Sequence, residues 1–404
     1  MDTLATAKAL AEARAVVAGL EAYDGSVAAH QALLSRASAV RAAMEAPYDT
    51  ATRWLENMSV GAAMNLVVRT GAFQKFPALG TGGSISAADL AAACGVDTSV
   101  MTRAVRVLVA NGLFAETGAD TYAHNAGSAA FAPGAGLGGF VGVCVDIMQA
   151  WAGLPRYCST HAPEALYDPK RTPFACAAGM EGRTYYEVLE TDPARRALWD
   201  GTLQAMASNF PVLGMFPFRE RLRAQDGGGG GRHRADIVDV GGGRGQALLA
   251  IQGDGEGVFS GRLVLQDLPT VIDTLKPEDI PGIEPMAYDI FTPQPVQGAR
   301  VYLMRRLLHD FYDREAVKIL RNTAAAMAPD SRLVICDMLV PDRVQVHGPM
   351  TLYWLDFSLL TIGGKERSRS EFEDVCAQAG LEIVDIYPSA GDNTVMLETR
   401  LKSR

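Results

Sequence analysis

The run Ala235-Asp236-Ile237-Val238-Asp239-Val240, followed at once by Gly241-Gly242-Gly243-Arg244-Gly245-Gln246, limits the possible folds of this chain more than any other feature. It reads as a buried strand entering a turn with glycine at 241, 243 and 245. Glycine tolerates positive φ and lets a ligand approach the backbone with no Cβ in the way. Strand, glycine turn and helix open a doubly wound sheet, in which ligands sit outside the carboxyl ends of parallel strands. The dinucleotide form of this turn needs a further glycine at 246, where this chain has Gln246. That crowds the place where a pyrophosphate would meet the helix N-terminus, so a cofactor without phosphates fits better.

The rest of the C-terminal half keeps the same rhythm. Leu263–Gln266, Arg300–Met304 and Leu333–Cys336 read as strands. Thr270–Leu275, Arg314–Met327 and Ser370–Ala379 read as helices, the last with a Ser370/Glu373 capping box. Leu381–Ile386 and Thr394–Glu398 close as an antiparallel edge pair around a turn containing Gly391.

Acids fall where such a sheet presents its ligand. Asp267 ends the strand after the glycine loop, where a carboxylate can accept both hydroxyl hydrogens of a ribose. Asp289 ends the following strand and can meet an adenine amino group while Ile290 packs on the ring. His309 lies five residues past a strand end on the same rim, and an imidazole of ordinary pKa ~6.5 suits a general base. Asp337 and Glu366 are the carboxylates available to orient or polarise it.

The N-terminal half is helical. Residues 1 to about 45 read as an alanine-rich arm for packing or dimerisation. Between about 55 and 125 come helix Ala62–Arg69, strand Ser84–Ser86, helix Ala87–Ala93 stopped at Gly95, and a third helix capped by Asp97. A hairpin around Gly118-Ala119-Asp120 completes a winged helix-turn-helix pattern. Its third helix, the presumptive recognition helix, offers only Arg103 and Arg106 as cations, and the 404-residue chain carries a net charge of -9 with pI near 5.3. Groove reading needs several basic groups there, so nucleic acid is not expected. Gly227–Gly231 reads as a surface loop ahead of the second domain.

The six cysteines include no C-x-x-C pair, which suits reduced thiols and gives no zinc motif; no metal is expected. The first residues lack a basic, then apolar leader, and no uncharged apolar stretch reaches the ~18 residues of a membrane span. A cytoplasmic protein without a membrane partner is expected.

Taken in order, Asp239–Gly245, Asp267-Leu268-Pro269, Asp289-Ile290-Phe291, Leu308-His309-Asp310 and Gly363–Arg367 with Glu371-Phe372 resemble the plant caffeic-acid-type O-methyltransferases. That family includes many fungal and bacterial secondary-metabolite enzymes. Thr191-Asp192-Pro193 is similar to a helix start in its substrate domain, and the resemblance spans roughly residues 50 to 400. It implies an α/β fold with a C-terminal Rossmann-like methyltransferase sheet and an N-terminal, mostly helical winged-helix dimerisation domain. The expected division is 1–130 for arm and winged helix, 131–226 for a helical linker and substrate-pocket region, and 227–404 for the cofactor domain.

The resemblance further implies S-adenosyl-L-methionine as cofactor, leaving as S-adenosyl-L-homocysteine, and a small hydroxylated acceptor. Gly241, Gly242, Gly243, Asp267 and Leu268 would hold its methionine and ribose parts, and Asp289 and Ile290 its adenine end, with Arg305 beside them. His309 would be the proton acceptor, flanked by Asp337 and Glu366, in a homodimer. Arg305 stands where the plant enzymes usually carry Lys, Asp337 where they carry Glu, and Thr361-Ile362 where they carry Asn-Pro. Because fold does not fix function, two rivals remain. One is an enzyme of this fold that keeps the cofactor but catalyses dehydration or a pericyclic reaction; the other is a winged-helix regulator.

Overall fold

The alanine-rich arm is two helices, not one, in the computed structural model. Helix α1 (Thr3–Glu21) and helix α2 (Val27–Met44) are separated at Asp24-Gly25-Ser26. Gly25 takes φ +80° and the Ser26 hydroxyl accepts from the Ala29 amide at 3.2 Å, so the chain turns and a new helix is capped. The structure describes residues 3–132, 137–206, 211–223, 234–255, 259, 261–346, 348, 350–390 and 392–403. The Gly227–Gly231 run and Gly391 lie outside them. The chain forms two units, residues 1–163 with 173–206, and residues 164–172 with 207–404.

In the first unit, α3 (Pro47–Arg69) begins well before the expected Ala62 because Asp49 accepts from the Ala46 amide at 2.9 Å. Strand β1 (Ile85–Ser86), helices α4 (Ala87–Cys94) and α5 (Thr98–Ala110), and strands β2 (Ala115–Gly118) and β3 (Thr121–Ala123) follow. The strands make a small antiparallel sheet in the order β1-β3-β2. Gly95 at φ +65° ends α4, and Asp97 caps α5 through the Ser99 amide at 2.9 Å. Val67, Leu90, Met101, Val105, Leu108 and Tyr122 are fully buried between these elements.

Helices α6 (Ala126–Ala129), α7 (Leu137–Thr160), α8 (Pro173–Ala177), α9 (Tyr185–Leu189) and α10 (Pro193–Met206) complete the unit. By length and composition α7 is apolar enough to cross a membrane. Its central Asp146, however, is buried between Arg69 and Arg195 of the same unit.

The second unit begins with α11 (Phe218–Arg223) and β4 (Ala235–Val240), buried at all six positions. Then come α12 (Gln246–Asp254), β5 (Arg262–Asp267), α13 (Pro269–Ile272), β6 (Glu284–Ala287), β7 (Val301–Arg305) and α14 (Asp313–Ala324). The chain closes with β8 (Arg332–Val340), α15 (Thr351–Ile362), β9 (Arg367–Ser368), α16 (Arg369–Gln378), β10 (Leu381–Pro388) and β11 (Thr394–Leu401). The sheet runs β10-β11-β8-β7-β4-β5-β6, with short β9 beside β8. β4 to β8 are mutually parallel, and β11 is antiparallel to both its neighbours. Of the expected edge pair only β10 lies at an edge, and β11 is inside the sheet. The order reverses between β4 and β7, the position at which such sheets open a ligand crevice.

Two expectations are corrected here. Asp337 lies inside β8, which runs three residues beyond it, and Ser368 with Glu371, not Ser370 with Glu373, caps α16. Ser368 accepts from the Glu371 amide while Glu371 Oε2 accepts from the Ser368 amide at 2.8 Å.

Candidate active site

The glycine loop takes the shape its composition requires. Gly241, Gly243 and Gly245 adopt φ of +71°, +60° and +82°. The amides of Gly241 and Gly242 donate to the Gln266 carbonyl at 2.8 and 3.1 Å, folding the loop over the end of β5. A Cβ on Gly242 would collide with the Asp239 carboxylate and Leu265, whereas one on Gly243 would meet open space. A cradle is therefore left beside the loop.

Asp267 ends β5 under that cradle, Oδ2 accepting from the Gly243 amide at 2.8 Å and Oδ1 from its neighbour Leu268 at 2.7 Å. The Tyr288 amide donates to the Asp267 carbonyl at 2.8 Å, which ties the ends of β5 and β6 together. Asp289 is exposed two residues past the end of β6, and its Oδ1 accepts from the Phe291 amide at 2.9 Å. Ile290 is half-buried against the core.

Asp239 belongs to the Asp239–Gly245 segment without being one of its expected site residues. It is fully buried at the end of β4, and neither oxygen has a hydrogen-bond partner among the described residues. Burial pushes its carboxyl up to about 7, against the pull of Arg305 and with the push of Asp267. Arg305, the last residue of β7, thus acts on Asp239. A buried acid just ahead of the glycine turn was the available signal.

His309 sits in a single 3₁₀ turn, Leu308–Asp310, just after β7. Leu307 links this turn to the glycine loop: a Cβ on Gly241 would lie 2.9 Å from its Cδ1. The imidazole is buried, with Nδ1 2.9 Å from Glu366 Oε1. With Glu366 Oε1 accepting, Nδ1 carries the hydrogen, and in the neutral ring Nε2 keeps a lone pair. Burial and Arg306 lower the imidazole pKa, but Glu366 and Asp310 outweigh them and hold it above its ordinary value.

Of the two expected flanking acids, Glu366 touches the ring and Asp337 does not. Asp337 is buried without a hydrogen-bond partner among the described residues, and burial lifts its carboxyl to about 7 while His309 draws it down. It acts on the imidazole through space.

The Gly363–Arg367 segment builds the turn. A Cβ on Gly364 would strike the His309 carbonyl, and the Lys365 amide donates to that carbonyl at 2.9 Å. Fully buried Arg367 donates to the Leu308 carbonyl at 3.0 Å, the Phe311 carbonyl at 2.7 Å and Asp313 Oδ1 at 2.9 Å. Asp356 accepts from the Glu366 amide at 2.8 Å. Arg306, between strand and turn, takes φ +51°, a strained conformation of the kind found at functional sites.

Comparison with known proteins gives a consistent outcome. A family model described as an O-methyltransferase domain matches residues 164–382. The chain is 35% identical over 365 residues to O-methyltransferase hmp5 of Hypomyces subiculosus, covering 89% of each chain. Among solved structures it resembles OxaC in complex with S-adenosylhomocysteine and oxaline (TM-score 0.82, 29% identity, 98% of this chain and 100% of that one). It also resembles a protein described as a pericyclic reaction enzyme (TM-score 0.81, 25% identity, 97% and 99%).

Proposed function

Since the chain belongs to the S-adenosylmethionine-dependent O-methyltransferase family, we propose that it methylates a phenolic or enolic hydroxyl of a small aromatic or polyketide-like metabolite, with His309 as the base. The residues fit the cofactor. Gly241–Gly243 leave backbone room for it, Asp267 places a carboxylate beside the loop for a ribose diol, and Asp289 with Ile290 suits an adenine edge and face. Asp239, a buried carboxylate with no hydrogen-bond partner among the described residues, suits a cationic ammonium. Leu268, 44% exposed beside Asp267, offers apolar surface.

S-adenosylmethionine, when bound, supplies an electrophilic methyl group on a sulfonium. The chain's task is to align the acceptor oxygen and remove its proton. His309 Nε2 takes the hydroxyl proton as the oxygen–methyl bond forms. Glu366 holds the ring through Nδ1 and stabilises the imidazolium, and Asp337 adds negative charge nearby. Arg367 and Gly364 position the turn. The observation that carries this reading is the buried His309–Glu366 pair, set in a turn whose Leu307 lies against the glycine loop.

Acceptors of the kind bound by OxaC, oxaline and meleagrin, set the size class. Thr361-Ile362, in place of the plant Asn-Pro, argues against plant substrate preference. We also read the β1–β3 segment with α4 and α5 as a winged helix that serves, with α1–α3, in a homodimer.

The test is methyl transfer from labelled cofactor to a panel of phenols and enols. His309→Gln should lose about 10²–10⁴ in turnover, the usual worth of a general base, with cofactor affinity unchanged. Full activity in that variant would remove His309 as base. The resemblance to a pericyclic reaction enzyme supports a second reading, in which the acceptor rearranges and no label is incorporated.

A further inference from the structure

Three ligand-type side chains that take no part in the proposed methyl transfer meet in the first unit. His161 follows α7, Cys176 lies in α8 and Glu181 in the turn after it. Imidazole nitrogen, sulfur and carboxylate oxygen all lie within 4.8 Å of one another. The ring is fixed by its surroundings. It stacks on Tyr157 with centroids 4.3 Å apart and planes at 15°. Its Nδ1 is 3.1 Å from the Tyr157 carbonyl and 2.9 Å from Thr160 Oγ1.

The Thr160 hydroxyl gives its own proton to the Arg156 carbonyl at 2.9 Å, so its oxygen accepts from the ring. Nδ1 therefore carries a hydrogen. Nε2 is then 2.7 Å from Glu181 Oε1. In the neutral ring this sets a lone pair against a carboxylate oxygen, which is repulsive unless a positive charge sits between them. A proton on Nε2 satisfies that pair but leaves the adjacent thiol unused. A cation engages all three donors.

We propose that His161 Nε2, Cys176 Sγ and the Glu181 carboxylate bind a divalent cation of the zinc type. Nitrogen, sulfur and oxygen donors in one small cluster suit a borderline-soft, tetrahedral ion, with exposed Glu181 leaving the fourth position to water. The Nδ1–H to carbonyl bond is the outer contact that orients a metal-bound imidazole. On binding, the thiol loses its proton to solvent, a metal–sulfur bond forms, and no electron changes hands. The ion would pin the end of α7 to α8 and to the turn 178–183, which Gly179 (φ +68°) and Gly182 (φ +95°) shape. Sequence motifs miss such a site because its ligands, at 161, 176 and 181, share no C-x-x-C pair.

The test uses the full chain, stripped with chelator and titrated with cobalt(II), then zinc. One equivalent of cobalt should bind with thiolate-to-cobalt charge-transfer absorption, zinc should displace it, and zinc should raise the thermal midpoint. Cys176→Ser should abolish the absorption. His161→Gln and Glu181→Gln should weaken binding at least about tenfold, as loss of a ligand does when outer-contact changes alone reach ~10–100-fold. Cys158→Ser, which alters an exposed cysteine outside the cluster, should change nothing. No charge-transfer band in the wild-type protein, or a band lost in Cys158→Ser and kept in Cys176→Ser, overturns the site.

Discussion

Opposing forces meet at the imidazole of His309. Burial and the Arg306 cation favour its neutral form, Glu366 and Asp310 its charged form, and the acids prevail. If His309 takes the acceptor proton, the enzyme works only with Nε2 free. Turnover should then rise with pH through a midpoint above the ordinary ~6.5. Removing the charge at 366 reverses the balance, so Glu366→Gln should shift that limb to lower pH while reducing the plateau. A kcat–pH profile for both proteins decides it; a limb that stays in place would detach Glu366 from the base. At this scale the sequence is readable where a chemically distinctive residue ends a strand or follows it closely, as with Asp267 and His309. It does not reveal whether Asp337 or Glu366 reaches the ring, because that depends on side-chain rotamers and on where β8 stops. Asp239 is harder to read because β4 also carries Asp236, which is engaged by Arg300 and the Gly261 amide, so an acid in that strand does not by itself mark a site.

The elements divide into those set locally and those set by packing. The helices α4 and α5 carry their stops and caps in the sequence, in Gly95 and Asp97, and the expected ends match closely. The start of α16 does not, because Ser368 and Ser370 each have a glutamate three residues on. The earlier box wins, with Lys365 also engaging Glu371. The same stretch shows one element built to support another: Gly363–Arg367 grips the 308–311 turn through backbone contacts that only a glycine at 364 permits. Gly364→Ala should push the His309 carbonyl aside. Misplacing a catalytic group by about 1 Å can cost ~10² in rate. The expected variant binds cofactor normally and turns over roughly one hundredth as fast, as measured by calorimetry beside steady-state kinetics. Wild-type kcat would show that the turn tolerates the shift.

Across the whole molecule, alternation of strands and helices was enough to anticipate a doubly wound sheet, since only parallel strands with crossovers accommodate that order. The break in the N-terminal arm was not anticipated, because Asp24-Gly25-Ser26 is a short interruption in an otherwise continuous alanine pattern. That arm bears on assembly. Leu10, Val17 and Leu20 on α1 and Trp54, Leu55 and Met58 on α3 are all at least half exposed. Apolar helix faces of this kind seek cover. We expect light scattering of the full chain at micromolar concentration to give twice the 43.0 kDa chain mass; a monomer would reject the dimer. The position of β11 has a separate consequence, in time. Residues 394–401 fill the slot between β8 and β10, so a nascent chain that has reached only β10 holds an unpaired edge on β8. At ~5–20 residues per second, β11 leaves the ribosome roughly 10–40 s after Met206, where the first unit ends. One half of the protein can be folded and waiting while the other still lacks the strand that closes it.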